Sequence, residues 1–186
     1  MERARAVEGV ETVSTTDAAG RVLAQAQSSA INVPSADNTS MDGYAVRCAD
    51  LTGEPSRLRI AQRIPAGHVG QPLEPGTAAR IFTGAFVPAG ADAVVMQGQT
   101  EADGDYVTVL HSPKPGEWIR RAGEDIQSGS VILPAGVMLT AQAVGLAASV
   151  GLASLPVRRR VRAACFFTGD ELVMPGEPLP PGAIYN

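Results

Sequence analysis

From Leu51 to Leu139 the chain repeats short apolar runs with a period of two, broken by turn residues. Arg57-Leu58-Arg59-Ile60-Ala61 and Ala79-Arg80-Ile81-Phe82 alternate polar and apolar positions, as a half-buried strand requires. Ala93–Gln97 and Tyr106–Leu110 flank Asp103-Gly104, which predicts a hairpin. Val131-Ile132-Leu133 and Val137-Met138-Leu139 flank Pro134-Ala135-Gly136 and predict two strands around a tight turn. Outside this region the period changes. Thr15 to Ala24, with Thr caps and Asp17 in the first turn, predicts a short helix, and Ser29 to Val33 an extended approach to the next turn. Thr140 to Val150 predicts a second helix, capped by Thr140 and ended by Gly151. Gly145 lies inside that helix and weakens it unless another backbone packs closely there. Finally, Val161 to Phe167 predicts a buried strand entering the loop Thr168-Gly169-Asp170, as an α/β domain opens. No helical pattern follows it; Pro175 to Gly182 is rich in Pro and Gly.

Composition sharpens the picture. Hydrophobic residues are 45% of the chain and aromatics only 4%, so Val, Ile, Leu and Ala must build the core. Twenty glycines and fourteen prolines without a period favour many short strands and turns. The central region should be a compact β-barrel or sandwich of about a hundred residues. A net charge of -4 argues against nucleic-acid binding as the main function. The basic run Arg158–Arg162 reads as a solvated strand face, with Arg158, Arg160 and Arg162 on one side. Cys48 and Cys165 have no metal or redox spacing, and His68 and His111 no ligand partner nearby in sequence. No apolar stretch reaches membrane length and no export signal opens the chain, which predicts a cytoplasmic protein.

Common catalytic patterns are absent: GxGxxG, GxxxxGK[ST], HExxH and GxSxG do not occur. What stands out is Pro34 to Arg47, reading PSADNTSMDGYAVR. Three turn signals precede the apolar run Tyr44-Ala45-Val46, so Asp42 sits at a tight turn anchored to a strand. Such a carboxylate can bind a hard cation or orient a polar substrate; a solvated turn acid is the alternative. Other oxygen donors on glycine-flanked turns are Thr83, Asp125, Asp170 and Glu171, with Arg120 and Arg121 nearby in sequence. Hard oxygen donors suit magnesium, and arginine forks suit phosphate or another oxyanion. The structural alternatives are a strand-ending turn at Thr83-Gly84 and a surface ion-pair cluster at Arg120–Asp125. Glu171 could equally be the first acid of a helix.

DNTSMDGYAVR resembles the signature of the molybdopterin molybdenumtransferase family, which inserts molybdate into adenylylated molybdopterin. Three further blocks resemble that family in the same order. These are Ile81-Phe82-Thr83-Gly84 with Gly90–Met96, then Ile119–Ile126, then Thr168–Leu172 with Pro175-Gly176. The resemblance implies a mainly β chain with short helices. An elongated α+β first domain would come from residues 1–28 and 130–158, with a β-barrel-like domain inserted over 29–129. Residues 159–186 would be the opening strand and loop of an α/β pterin-binding domain, the rest of which lies outside this chain.

Carried over by position, the resemblance implies that Asp42 and Asp125 hold magnesium and orient the adenylylated substrate. Thr83 would donate a hydrogen bond from its turn, and Arg120 would contact a phosphate or molybdate oxygen. Asp170 and Glu171, beside the pterin loop, would order bound ligand. Molybdate would enter the dithiolene and AMP would leave. The dithiolene sulfurs belong to the pterin, so neither cysteine is needed. The family also implies a homodimer in full-length form, with a molybdopterin adenylyltransferase as a possible partner. A different class stays open: a non-catalytic β-rich module that dimerises or docks onto the cofactor-synthesis machinery.

Overall fold

The computed structural model describes residues 7–186. The first strands are β1 (Val10–Ser14), β2 (Gln27–Ser28), β3 (Asn38–Thr39) and β4 (Gly43–Val46). Then come β5 (Ser56–Ile64), β6 (Thr77–Ile81), β7 (Ala93–Met96), β8 (Thr100–Asp103) and β9 (Tyr106–Val109). After β10 (Ile119–Arg120) and β11 (Val131–Leu133) lies helix α1 (Ala141–Ser149). The chain ends with β12 (Ser154–Arg158), β13 (Leu172–Val173) and β14 (Ile184–Tyr185).

Two early segments fold back onto two late ones. β1 runs antiparallel to β12 from Val10↔Arg158 to Ser14↔Ser154, and β2 pairs with β11. Ala18, Leu23, Leu133, Leu139, Ala147, Leu155 and Val157 share one buried core, on which α1 lies. Between these segments a six-stranded sheet has the order β7-β4-β6-β5-β9-β8. It is covered by apolar side chains on both faces. Tyr44, Val46, Leu58, Ala78, Val95, Val107 and Val109 form one cluster; Ala45, Ile64, Ala79, Ile81 and Val94 form the other. The edge strands β7 and β8 are joined only by Gln97–Gln99. Laid flat, six strands would separate those edges by about 24 Å. Three residues reach about 10 Å, so the sheet must curl until its edges adjoin, which makes it barrel-like.

A bulge in β5 has a positional consequence. Ile60 pairs with Ala78 and Gln62 with Ala79, leaving Ala61 as the extra residue. An inserted residue reverses which face the following side chains take. Leu58 and Ile60 therefore pack on one face of the sheet, whereas Ile64 packs on the other. Arg63 then pairs with Arg80 on β6, and Arg80 in turn with Tyr44 on β4.

Several local expectations need correction. Thr15 to Ala24 forms only a 3-10 turn over Thr15–Asp17. Gly20 takes a φ of 75°, which ends any helix, and Val22 and Leu23 bridge to Met138 and Val157. The hairpin is β8–β9 around Asp103-Gly104, while β7 crosses to the far edge and pairs with β4. Val131–Leu133 and Val137–Leu139 do flank a turn at Gly136, but each side pairs with residues 22–28 and not with the other. Val161 to Phe167 forms no strand and is exposed, with Val161, Phe166 and Phe167 retaining 75%, 86% and 71% of their surface. No described strand lies alongside to supply hydrogen bonds or cover its apolar side chains.

α1 matches its pattern. Thr140 Oγ1 accepts a hydrogen bond from the Ala143 N–H (3.2 Å), and Gly151 has a φ of 82°. No other backbone approaches Gly145, where an added Cβ would meet nothing within 4 Å. Gly145→Ala is thus expected to raise stability by about 0.5–1 kcal/mol. An unchanged or lowered urea midpoint would show that this face of α1 is less open than described.

Candidate functional site

The signature segment is laced into place on both sides. Along one side Val33 and Ile126 exchange backbone hydrogen bonds, and the Gly123 N–H donates to Pro34 O (2.9 Å). β3 pairs with β10, and the Ser40 N–H donates to Trp118 O (3.1 Å). Along the other side the Val87 N–H donates to Asp37 O, the Thr39 N–H to Ala85 O, and the Gly84 N–H to Thr39 O. The blocks at 34–47, 81–87 and 118–126, far apart in sequence, therefore meet in one place.

At the end of this arrangement sits Asp42. Its Oδ1 accepts from both the Thr83 N–H (2.8 Å) and the Thr83 hydroxyl (2.7 Å). Those two hydrogen bonds, the backbone one foremost, hold its carboxyl below the usual carboxylate range, with Arg80 adding to them. Oδ2 has no protein partner among the described residues. The next residue, Gly43, opens β4 between β6 and β7 and anchors the turn in the sheet.

A second cluster lies at Arg120 to Asp125. Arg120 Nη2 donates to both Asp125 oxygens (2.6 Å each), and its Nε to Glu124 Oε1 (3.3 Å). This pairing with Asp125, then with Glu124, raises the Arg120 pKa. Arg121 pairs with Asp37 (2.6 Å), whose Oδ1 also accepts from the Ala122 N–H (2.9 Å). An open cleft of about 520 Å³ runs beside this loop, between Glu124–Ile126 and Ile132 and Leu146.

The structure brings Asp42 to Thr83, brings Arg120 to Asp125, and ties both pairs to one signature segment. Asp170 and Glu171 stand apart and are exposed, making no hydrogen bond or ion pair with those four among the described residues. Sequence reasoning missed Asp37 as the anchor of the Arg121 loop, and it missed Arg80. Asp37 opens one of the family-like blocks and Arg80 immediately precedes another, a signal available in the chain itself. Cys48 is partly buried and its thiol is pushed up to about 12, first by burial and then by Asp92. It is no nucleophile at neutral pH.

Magnesium keeps several waters and takes one or two carboxylates plus substrate oxygens. The free oxygen of Asp42 fits that role. Asp125 does not fit as it stands, because both its oxygens are on Arg120. Among the described residues no group of three or more His, Cys, Asp or Glu side chains could form an all-protein cage.

Asp37 gives a pH prediction. The Ala122 N–H, and then Arg121, hold its carboxyl below its ordinary value. A carboxylate depressed on folding contributes stability above its unfolded pKa, lost as pH falls through its folded pKa. Urea midpoints are expected to drop below about pH 4, and Asp37→Asn should flatten that drop. An equally steep pH profile in the variant would remove Asp37 as a cause.

Residues 1–151 match the family model described as MoeA N-terminal region (domain I and II). The chain is 45% identical over 180 residues to molybdopterin molybdenumtransferase 2 of Mycobacterium tuberculosis, covering 94% of this chain and 44% of that one. It is 43% identical to the molybdopterin molybdenumtransferase of a Nostoc species, covering 96% of this chain and 42% of the relative. The solved structure of the molybdopterin biosynthesis moeA protein from Pyrococcus horikoshii OT3 superposes with a TM-score of 0.86 at 34% identity. That match covers 95% of this chain and 47% of the other, so the present chain spans about half the length of the proteins it matches. Among the described residues no helix is long and apolar enough to cross a membrane. By family model, relatives and fold together, the chain belongs to the MoeA family of molybdopterin molybdenumtransferases and corresponds to its N-terminal region.

Proposed function

We propose that this chain supplies the Asp42–Thr83 half of a site for magnesium-dependent insertion of molybdate into adenylylated molybdopterin, with release of AMP. The observation that carries this reading is the Asp42 carboxylate, fixed through one oxygen by two Thr83 donors and left open at the other. A structural turn acid has no need of a free, oriented, low-pKa oxygen. Residues 1–28 and 130–158 act as one domain in this reading and 29–129 as the inserted one, supported by their separate cores. Residues 159–186 open the pterin-binding domain, whose remainder would cover Val161, Phe166 and Phe167.

Each residue then has a task. Thr83 holds the Asp42 carboxylate in its ionised form and fixed direction. Asp42 holds magnesium and orients the phosphate of the incoming substrate. Magnesium, when bound there, would neutralise and polarise that phosphate. Asp125 positions Arg120, and the open cleft beside their loop leaves room for part of a large substrate.

The test is a hybrid in which residues 1–186 replace the matching N-terminal stretch of the Mycobacterium tuberculosis relative. Molybdate-dependent AMP release from adenylylated molybdopterin is expected from the hybrid. The isolated chain is expected to release little, because catalysis needs both halves positioned within about an ångström. A folded hybrid that releases no AMP would overturn the proposal. The docking-module reading would then lead, on the strength of the exposed 161–167 segment.

A further inference from the structure

The arginines near the signature differ in how their charge is met. Arg120 and Arg121 pair with Asp125, Glu124 and Asp37. Arg63 and Arg80 have no carboxylate partner among the described residues, although they sit side by side in register on β5 and β6. Both guanidiniums lie over the Phe82 ring, at 4.4 Å for Arg63 and 4.2 Å for Arg80. Two like charges on one ring repel, and the ring's electron-rich face offsets that only in part.

Arg80 is also held rigidly. Nη1 donates to Gly43 O (2.8 Å) and Ile81 O (2.5 Å), and Nη2 to Gln97 Oε1 (2.7 Å). These acceptors are all uncharged, so its positive charge is fixed in place without an ion pair, though close enough to Asp42 to favour that carboxylate. Two of its five N–H groups stay uncommitted. The carbonyls it grips belong to the residue after Asp42 and the residue two before Thr83. The Arg63 side chain makes no protein hydrogen bond among the described residues, and the bulge at Ala61 puts it on this face.

We infer that Arg63 and Arg80, stacked on Phe82 beside the Asp42–Thr83 turn, bind a tetrahedral oxyanion of the reaction. This inference rests on the proposed site at Asp42. Planar guanidinium forks match the oxygens of such an anion, and a preset Arg80 loses little freedom on binding it. The anion would also relieve the repulsion between the two cations. Two sources share this chemistry: the phosphate of the nucleotide-bearing substrate, and molybdate. The cation assigned to that task from sequence, Arg120, is already neutralised by Asp125.

The test titrates the 186-residue chain with AMP, with sodium molybdate and with adenosine, followed by amide NMR. Binding of AMP or molybdate is expected to shift Phe82 and Thr83, while adenosine leaves them unmoved. Whichever anion binds identifies the source. Arg63→Met and Arg80→Met should each weaken that binding about tenfold. Arg57→Met is the control, since it removes the same charge from the far end of β5, where Arg57 stacks on Tyr106. Arg63→Met touches no protein hydrogen bond, so its result stands even if Arg80→Met fails to fold. Binding by neither anion would overturn the inference, as would equal losses in Arg57→Met and Arg63→Met. An anion bound through Arg63, alongside a hybrid that releases no AMP, would keep the oxyanion site and remove only its place in that reaction.

Discussion

Gly43→Ala is expected to destabilise the chain by about 3 kcal/mol and to loosen the Asp42 turn with it. Gly43 is buried in β4 between β6 and β7. A Cβ there would lie 1.9 Å from Val95 O, 2.8 Å from Val95 C and 3.1 Å from the Met96 Cα. These are backbone atoms, so no side chain can swing aside to make room. β7 would have to move, yet it is held on its outer side too, where the Val94 N–H donates to Glu117 O (3.0 Å). The change therefore sacrifices part of the β4–β7 ladder or strains both strands. Gly98→Ala is the matched control, because a Cβ there meets nothing within 4 Å. It should shift stability by less than about 0.5 kcal/mol. Urea unfolding followed by far-UV circular dichroism reads both. A Gly43→Ala midpoint equal to the parent's would mean that β4 and β7 are not packed as described.

How far the fold was legible depended on what each element shows of itself. β5 was readable because Arg57 and Arg59 alternate outward with Ser56 and Leu58 inward, and β6 because Ala79 and Ile81 share one buried face. α1 was readable from the Thr140 cap and the terminal Gly151. The partner of β9 was not, because Thr100–Asp103 is an exposed edge strand without hydrophobic alternation. Ala93–Met96 looked the better partner for β9, but a strand so apolar belongs where both its faces are covered. The bulge at Ala61 left no mark in the residue pattern, and so Arg63 could not be placed beside Arg80.

The site was legible in a different way. Asp42 and Thr83 are 41 residues apart, and no local periodicity puts them within hydrogen-bond reach. Their membership in one site came from the family resemblance; their contact comes from the lacing of residues 37–40 between two other segments. Arg120 was expected to face a substrate oxygen. In the structure Asp125, five residues on, pairs with it, which the spacing allows but does not require.

Asp42→Ala carries the largest expected effect on activity. In the hybrid, AMP release should fall at least about a hundredfold, the scale of losing a group that orients charge in a reacting centre. Stability should change little, because Asp42 and Thr83 are both exposed and water can replace the lost acceptor. The change thus separates function from fold, which Gly43→Ala does not. Asp42→Asn divides the effect further. Its side-chain oxygen can still accept both Thr83 hydrogen bonds, so geometry survives while the negative charge goes. If the carboxylate holds magnesium, Asp42→Asn should be nearly as inactive as Asp42→Ala, and raising magnesium should restore little. If Asp42 only props the turn, Asp42→Asn should keep most of the rate. Parental AMP release in Asp42→Ala would remove this turn from the site altogether, since no other described carboxylate is held by Thr83.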